Sequence, residues 1–321
     1  MLVAQGPLRV SLFGGGSDLP AFLAHNDGAV LSFALDRRVF IVGHPLKHRH
    51  GVLLKYSETE DVESAGKLRH PIAREVLSRY GVRDMDIAVM SDVPAGTGLG
   101  SSSTFTVTFL AFVRHLVGAI STPSDLAREA CEIEIDVLKE PIGLQDQWAS
   151  ALGGINVLTF VQRDVRVEMV GLGADQIAAL EGNIKLVPVG RPRSASDLLQ
   201  RQGSRLISGS RSESLTRRLV EQVDEGKAAL LHDMDALGPL LEEAWRLKCE
   251  VAPAVTNPQV DELYELGMAS GATGGKLLGA GGSGYFAFYV PAAQHARFAS
   301  EMPKPLAYRI SSQGASIIHE S

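Results

Sequence analysis

Hydrophobic and polar residues alternate near the start of the chain, where Leu8, Val10 and Leu12 are separated by Arg9 and Ser11. This two-residue period predicts a strand with Arg9 and Ser11 on one face. Similar runs predict further strands at Val39–Gly43, Val52–Tyr56, Asp86–Val89, Ile155–Phe160, Val165–Val170 and Ile184–Val189. Helical spacing predicts helices over His70–Tyr80, Thr104–Val117 and Pro123–Leu138, and over about 194–202, 211–231, 233–250 and 258–270.

Strands and helices are mixed in both halves of the chain, which favours an α+β fold over a regularly alternating, doubly wound sheet. At 321 residues the chain is long for a single core, so we expect two packed domains. The polar, glycine-containing segment Gly171–Gly182 is the predicted boundary, and it divides the chain into residues 1–175 and 176–321.

The overall charge limits the kinds of partner that the chain can have. A net charge of −6 gives no electrostatic support for binding nucleic acid or an anionic membrane surface. Cys131 and Cys249 cannot form a disulfide framework and are typical of buried thiols in a reducing cytoplasm. The apolar run Phe105–Val113 is too short to cross a bilayer, so we expect a cytoplasmic protein.

A glycine-rich loop, Asp92-Val-Pro-Ala-Gly-Thr-Gly-Leu-Gly-Ser-Ser-Ser103, precedes the predicted helix at Thr104–Val117. Free amide groups and the positive end of the helix dipole meet at such a junction, which indicates an anion site, with phosphate as the favoured anion. The nucleotide-loop pattern Gly-x-x-x-x-Gly-Lys-Ser/Thr is missing from the sequence. A tight turn with a serine N-cap is the alternative interpretation.

Two carboxylates stand in unusual positions. Glu134 falls on the apolar face of the helix predicted at Pro123–Leu138, where a charge is costly unless it is paired or metal-bound, so a salt bridge and a metal site both remain open. Asp146 stands where the turn Pro141–Gln147 leads into another apolar helix, and it is either a helix cap or a catalytic group.

The segment Gly271–Tyr285 is dense in glycine and is followed by an apolar run. This composition indicates that the backbone passes close to another part of the molecule. A mobile surface hairpin is the alternative.

Three ordered segments of the chain together resemble the motifs of the GHMP kinase superfamily, which includes galactokinase, homoserine kinase, mevalonate kinase and phosphomevalonate kinase. They are Pro7-Leu-Arg-Val-Ser-Leu-Phe-Gly-Gly-Gly-Ser-Asp18, Pro94-Ala-Gly-Thr-Gly-Leu-Gly-Ser-Ser-Ser103 and Lys276-Leu-Leu-Gly-Ala-Gly-Gly-Ser-Gly-Tyr-Phe286. Within the superfamily the sequence is most similar to the D-glycero-D-manno-heptose 7-phosphate kinases. That likeness rests on the triple glycine before Ser17-Asp18 and on Tyr56–Glu60, Arg69–Glu75 and Gly143–Gln147.

The resemblance implies a two-domain fold, with an ATP-binding N-terminal domain like domain 2 of ribosomal protein S5 and a ferredoxin-like C-terminal domain. It also implies an ATP- and Mg²⁺-dependent kinase that phosphorylates the anomeric hydroxyl of a sugar phosphate, with D-glycero-D-manno-heptose 7-phosphate as the expected acceptor and the 1,7-bisphosphate as product. The alternatives are a sugar 1-kinase acting on fucose or another hexose, and a non-catalytic sugar- or nucleotide-binding protein. No nucleic acid or membrane partner is expected, and a homodimer is left open.

The resemblance also implies roles for individual residues. ATP would be bound by the loop residues Pro94, Gly96, Thr97, Gly98, Leu99, Gly100, Ser101, Ser102 and Ser103. Mg²⁺ would be held by Ser102, with Ser101 as the alternative, and by Glu134, while Asp146 would act beside Arg9 at the acceptor hydroxyl. The acceptor would be bound by Gly14, Gly15, Gly16, Ser17, Asp18, Gly281 and Gly282, with Arg191, Arg193 and Lys276 as candidate ligands of its phosphate.

The sequence departs from the family pattern at two points. Ser283 interrupts the glycine run of the third motif. Galactokinase-like chains carry Arg-x-Asn and a Glu-His pair in the first motif, where this chain has Arg9-Val-Ser11 and Gly15-Gly16. The second departure argues against galactose as the acceptor.

Overall fold

The long strand β1 (Leu2–Phe13) begins a computed structural model that describes residues 1–162, 164–190, 196–206 and 208–320. The other strands are β2 (Gly28–Pro45), β3 (Val52–Lys55), β4 (Thr59–Val62), β5 (Met85–Ser91), β6 (Ile155–Val161), β7 (Asp164–Met169), β8 (Ile184–Val189), β9 (Gly274–Leu277), β10 (Gly284–Tyr289) and β11 (Ser316–Glu320). The helices are α1 (Pro20–Leu23), α2 (Pro71–Arg79), α3 (Ser101–Leu116), α4 (Pro123–Cys131), α5 (Gln145–Leu152), α6 (Ala174–Asn183), α7 (Ser196–Arg205), α8 (Arg211–His232), α9 (Leu237–Val251), α10 (Pro258–Ala269) and α11 (His295–Glu301).

The larger sheet has the strand order β11-β1-β2-β5-β3-β4, and β6 and β7 continue it from the other end of β2. Strands β1 and β2 are antiparallel, with a register that runs from Leu2 opposite Gly43 to Phe13 opposite Leu31. As predicted, Arg9 and Ser11 share one face of β1, and both are buried although they are polar. A buried cation on a central strand needs partners, and Arg9 has them in Asp146 of α5 and in the glycine-rich loop before α3.

Helix α3 lies very close to β1. A Cβ atom on Gly6 would overlap Thr108 Oγ1, so only glycine allows this approach. The Thr104 hydroxyl donates a hydrogen bond to the Pro7 carbonyl (3.1 Å), and the Arg9 amide donates to the Leu99 carbonyl (3.0 Å). These bonds fix the first turn of α3 beside Arg9.

The smaller sheet has the order β8-β10-β9, and an isolated bridge joins Leu186 of β8 to Leu306. With Leu306 on the outer side of β8, this order is that of a ferredoxin-like sheet. Its core is aromatic: the ring centroids of Phe286 and Phe288 are 4.6 Å apart, and Trp245 of α9 contacts Phe286 edge-on at 5.3 Å. Strand β11 then returns to the larger sheet, so the end of the chain joins both parts.

Several predicted elements have different limits in the structure. Helix α3 begins at Ser101, three residues before the predicted start, so the three serines form its first turn. The helix predicted at Pro123–Leu138 is α4 followed by a π-helical segment, Glu132–Val137. The helix predicted at 233–250 is a 3₁₀ turn, Met234–Ala236, followed by α9.

The segment predicted as the domain boundary, Gly171–Gly182, is largely occupied by α6, and the division at residues 175 and 176 stays a prediction. Residues 194 and 195 of one predicted helix lie outside the described residues, and the rest of it belongs to α7. Both cysteines are free thiols. Of the helices within the described ranges, none combines the length and the apolar character needed to span a lipid bilayer.

Candidate active site

A cavity of about 430 Å³ lies between the two sheets, where β1, the first turns of α3 and α5, and the glycine-rich segment before β10 meet. Many of the predicted site residues line it: Arg9, Gly15, Gly16, Asp18, Gly96, Gly98, Gly100, Ser101, Ser102, Ser103, Glu134, Asp146 and Lys276. Residues from all three motifs, far apart in sequence, therefore converge on one cavity.

Other predicted residues do not line the cavity but hold the loops that form it. The Thr97 hydroxyl donates to the Pro94 carbonyl (3.0 Å) inside the glycine loop, and Leu99 is fully buried. Ser17 exchanges hydrogen bonds with the backbone of Ala29, so it secures the first glycine turn to β2. Gly14, which begins that turn, has φ = 80° and packs against Ala29.

The predicted acceptor residues Gly281 and Gly282 lie against Val255, where the Gly282 amide donates to the Val255 carbonyl (2.6 Å). Gly279 and Ala280, just before them, line the cavity instead. Arg191 and Arg193 lie outside the described residues.

The second motif forms a loop that only glycine can make. Gly96, Gly98 and Gly100 all have φ between 75° and 79°, in the left-handed region that L side chains rarely adopt. Gly100 is the N-cap of α3, so the loop delivers the chain directly into the helix. The first amides of a helix lack intrahelical partners, and the first turn of α3, which is fully described, holds no acidic side chain. The dipole at this end is thus available to an external anion.

The second and third motifs are in backbone contact. A Cβ atom on Gly98 would lie 2.6 Å from the Leu278 carbonyl oxygen, and one on Gly284 would overlap the Thr97 carbonyl. This contact explains the density of glycine in Gly271–Tyr285. The mobile-hairpin alternative is wrong, because β9 and most of β10 are buried.

Arg9 and Asp146 form a two-pronged ion pair at the centre of the cavity wall. Arg9 Nε donates to Asp146 Oδ1 at 2.7 Å, and Arg9 Nη2 donates to Asp146 Oδ2 at 2.6 Å. The remaining guanidinium nitrogen, Nη1, donates to the Gly98 carbonyl at 2.6 Å. Asp146 is the second residue of α5 and makes no capping hydrogen bond, so the helix-cap alternative does not describe it. The arrangement fixes one carboxylate, still 23% exposed, beside the glycine loop.

Glu134 is 1% exposed and lies at the same end of the cavity. It lies in the π-helical segment, where Thr106 Oγ1 donates to it at 2.8 Å, Gln147 Nε2 donates at 2.5 Å, and the Ser103 hydroxyl bonds to it. Among the described residues no cationic side chain pairs with it, so the salt-bridge alternative is wrong. Burial raises the pKa of Glu134 to about 7 in spite of these hydrogen bonds.

This carboxylate is suited to a divalent cation. Mg²⁺ needs few protein ligands, because waters and phosphate oxygens complete its octahedron. No group of three or more His, Cys, Asp or Glu side chains that could hold a metal ion occurs within the described ranges, and a site of this kind does not require one. Ser102 is exposed at the cavity edge, whereas Ser103 is the serine that contacts Glu134.

The opposite end of the cavity presents polar groups at the first glycine turn. Asp18 is 2% exposed and accepts hydrogen bonds from the Gly16 amide, the Gln145 amide and Gln145 Nε2, all at 3.1 Å. Burial and the nearby Asp146 raise the pKa of Asp18. Ser11 Oγ and Gln145 Oε1 are buried without a hydrogen-bond partner among the described residues. Buried unpaired oxygens at a cavity wall favour a ligand with hydroxyl groups.

The polar side chains of the cavity wall that the sequence did not single out include Lys248 of α9, Gln202 of α7 and Gln145 of α5. Leu241, Ala244 and Val251 are buried on one face of α9, and Lys248 falls on that face by i, i+3, i+4 spacing. The argument that singled out Glu134, a charge in an apolar stripe, also applies to Lys248. Gln202 carries no comparable signal.

Comparison with known sequences identifies the family. The chain matches the sequence profile of the GHMP kinases N terminal domain over residues 67–154 and that of the GHMP kinases C terminal over residues 227–307. The chain belongs to the GHMP kinase family. It is therefore a kinase, and ATP is the phosphate donor of kinases in this family.

Individual relatives cover most of the chain. It is 27% identical over 304 residues to the D-glycero-alpha-D-manno-heptose 7-phosphate kinase of Campylobacter jejuni, covering 89% of this chain and 88% of that protein. It is 26% identical over 319 residues to the galactokinase of Thermococcus kodakarensis, covering 87% and 86%. It superposes on a D-glycero-D-manno-heptose 1-phosphate kinase from Bacteroides thetaiotaomicron with a TM-score of 0.82 at 20% identity, covering 100% of both chains. The predicted two-domain GHMP kinase fold is confirmed.

Proposed function

We propose that this kinase transfers the γ-phosphoryl group of ATP to the anomeric hydroxyl of a phosphorylated sugar, with D-glycero-D-manno-heptose 7-phosphate as the expected acceptor. The observation that carries the proposal is the Arg9–Asp146 pair, which is joined through the Gly98 carbonyl to the loop that begins α3. A carboxylate that can receive a proton thus stands beside a site for phosphate.

The donor end is the glycine loop together with the first turn of α3. Its amides and the helix dipole stabilise the negative charge of the phosphate chain. Glu134 and a serine hydroxyl, with Ser102 as the predicted ligand, would hold Mg²⁺, which would neutralise charge on the β- and γ-phosphates. The pKa of about 7 keeps Glu134 partly protonated in the free protein at neutral pH, and a bound cation favours its ionised form.

Asp146 orients the acceptor hydroxyl and takes its proton. The hydroxyl oxygen forms a bond to the γ-phosphorus, the bond from that phosphorus to the ADP oxygen breaks, and ADP leaves with its charge stabilised by the loop. Arg9 keeps Asp146 in place, because a two-pronged guanidinium–carboxylate pair fixes both position and orientation.

The acceptor end supports a polyhydroxyl ligand. Ser11 Oγ and Gln145 Oε1 have no hydrogen-bond partner among the described residues and can bind ligand hydroxyls, and Asp18 bonds to Gln145 and lies near Asp146. The relative from Campylobacter jejuni supports a heptose 7-phosphate as the acceptor. Lys276, which lines the same cavity, stays a candidate ligand for the acceptor phosphate. Cytoplasmic location and a homodimer also stay predictions.

An ADP-release assay over free and phosphorylated heptoses and hexoses, fucose included, tests the proposal. Heptose 7-phosphate should give the highest kcat/KM, and Asp146→Asn should lower kcat by about 10²-fold or more, since a proton acceptor is lost. Asp175→Asn is the matched control, because Asp175 is likewise the second residue of its helix and is exposed. Full turnover by Asp146→Asn would remove the proposed base, and preference for an unphosphorylated hexose would favour the sugar 1-kinase alternative.

A further inference from the structure

Three cationic side chains meet at one wall of the cavity: Arg9 of β1, Lys248 of α9 and Lys276 of β9. Arg9 is paired with Asp146, but neither lysine has a carboxylate within 4 Å among the described residues. Lys276 Nζ donates to the Leu12 carbonyl at 2.8 Å. Lys248 Nζ donates to the Leu277 carbonyl at 2.8 Å and to the Gly279 carbonyl at 2.6 Å. The ammonium groups of Lys276, which is buried, and Lys248, which is half-buried, are thus held by backbone oxygens, and within the described residues no carboxylate pairs with either.

Such a cluster is costly without an anion. Burial lowers the pKa of Lys248 to about 8; Cys249 opposes this shift, and the neighbouring Arg9 adds a smaller lowering. Burial, Lys248 and Arg9 hold the pKa of Lys276 well below its usual range. A ligand with several negative charges would relieve this repulsion, and phosphate groups provide them.

The position of Lys248 is specified by a chain of contacts. Gly279, which accepts one of its hydrogen bonds, packs directly against Gly98. Gly98 in turn accepts a hydrogen bond from Arg9, which holds Asp146. An ammonium group has three N–H donors, and two of those on Lys248 are used by carbonyls of the third motif. The third is available to the cavity that Lys248 lines.

We propose, building on the kinase function proposed above, that Lys248 is a further catalytic residue whose third N–H binds the phosphoryl group during its transfer. The two carbonyl bonds fix the ammonium group and tie the third motif to it. Charge develops on the phosphoryl oxygens and the leaving oxygen in the transition state, so a fixed cation there stabilises the transition state more than the ground state.

Kinetics of Lys248→Met and Lys248→Arg test this assignment, with ATP and D-glycero-D-manno-heptose 7-phosphate as substrates. Lys248→Met should lower kcat by about 10²-fold, as the loss of a single charge-stabilising donor does in other enzymes. Arg246→Met, on the exposed face of the same helix, is the control and should leave kcat unchanged. A Lys248→Met kcat within about twofold of the wild-type value would overturn the proposal.

The pH profile distinguishes catalysis from a structural role. Because Lys248 must be cationic, wild-type kcat/KM should fall above about pH 8 as Lys248 loses its proton. In Lys248→Arg this alkaline decrease should be absent, since arginine stays charged over the whole range. An unchanged alkaline decrease in Lys248→Arg would show that another group causes it, and would contradict the assignment.

Nucleotide binding tests the same contact without any acceptor. Wild-type protein should bind the ATP analogue AMP-PNP with Mg²⁺ more tightly than ADP, and Lys248→Met should reduce that preference by about tenfold, the value of a charge-assisted hydrogen bond. Calorimetry gives both dissociation constants. An unchanged preference for AMP-PNP over ADP in Lys248→Met would contradict the proposed role of Lys248 even if the kinase reaction is confirmed. If the sugar panel gives no ADP while the preference is lost, the proposed acceptor is wrong and the role of Lys248 stands.

Discussion

Replacement of Gly98 by alanine would test the contact between the second and third motifs. Gly98 has φ = 79°, and an added Cβ would lie 2.6 Å from the Leu278 carbonyl oxygen and 3.0 Å from its carbon. Gly118, at the other end of α3, has φ = 72° and nothing within 4 Å of its added Cβ. Because α3 has 16 residues and is about 24 Å long, Gly118 is a control far from the site.

Both substitutions force an L residue into the left-handed region, which costs about 1–2 kcal/mol of folding stability. The Gly98 substitution must also separate the two loops by roughly 0.8 Å before ordinary contact at 3.4 Å is restored. The Gly98 carbonyl holds Arg9, so this movement displaces the Arg9–Asp146 pair. Misplacement of catalytic groups by about 1 Å can cost 10²-fold in rate.

We therefore expect Gly98→Ala to lower kcat/KM by about 10²-fold and Gly118→Ala to leave it nearly unchanged. ADP release with ATP and D-glycero-D-manno-heptose 7-phosphate measures the rates, and thermal unfolding measures the cost that the two variants share. Equal kcat/KM values for the two variants would show that the contact between the motifs does not position the catalytic groups.

Two further predictions concern buried carboxylates. In Gly143→Ala the added Cβ would overlap Asp18 Oδ2 and displace that carboxylate. The acceptor would lose a charged hydrogen bond, so its KM should rise by about tenfold or more, while the KM for ATP should stay constant. Gly171→Ala, whose Cβ meets nothing within 4 Å, is its kinetic control, and an unchanged acceptor KM would argue against Asp18 as an acceptor ligand. Burial raises the Glu134 pKa to about 7, so the stability that the protonated group gives is complete below pH 4.5 and is lost as pH rises through 7. In the absence of Mg²⁺ and nucleotide, Glu134→Gln should remove that part of the pH dependence of the melting temperature, and a melting profile identical to wild type between pH 5 and 8 would contradict the assigned cause.

The sequence predicted the separate elements of the site better than the contacts between them. Arg9 and Ser11 could be placed on one face of a strand because strands alternate, and the glycine loop could be placed before an apolar helix. The pairing of Arg9 with Asp146 spans 137 residues, and no local pattern specifies it. It follows from the packing of α3 and α5 against β1, where a Cβ atom on Gly6 would meet Thr108 of α3 and Ser150 of α5.

Other features could not be predicted because they depend on tertiary contacts. The π-helical segment that contains Glu134 has no distinct periodicity within Glu132–Val137, so the sequence predicts a continuous α-helix there. Ser103 contacts Glu134 because α3 begins earlier than its apolar pattern. Gln202 lies near Gly16 only because α7 packs over the first glycine turn.

The most direct test is a crystal structure with AMP-PNP and Mg²⁺ bound. We expect phosphate oxygens within hydrogen-bond distance of the amides of Gly98–Ser103, the metal beside Glu134, and the γ-phosphorus facing Asp146. Phosphates bound elsewhere, with the amides at the start of α3 free and Asp146 far from the γ-phosphorus, would contradict this expectation.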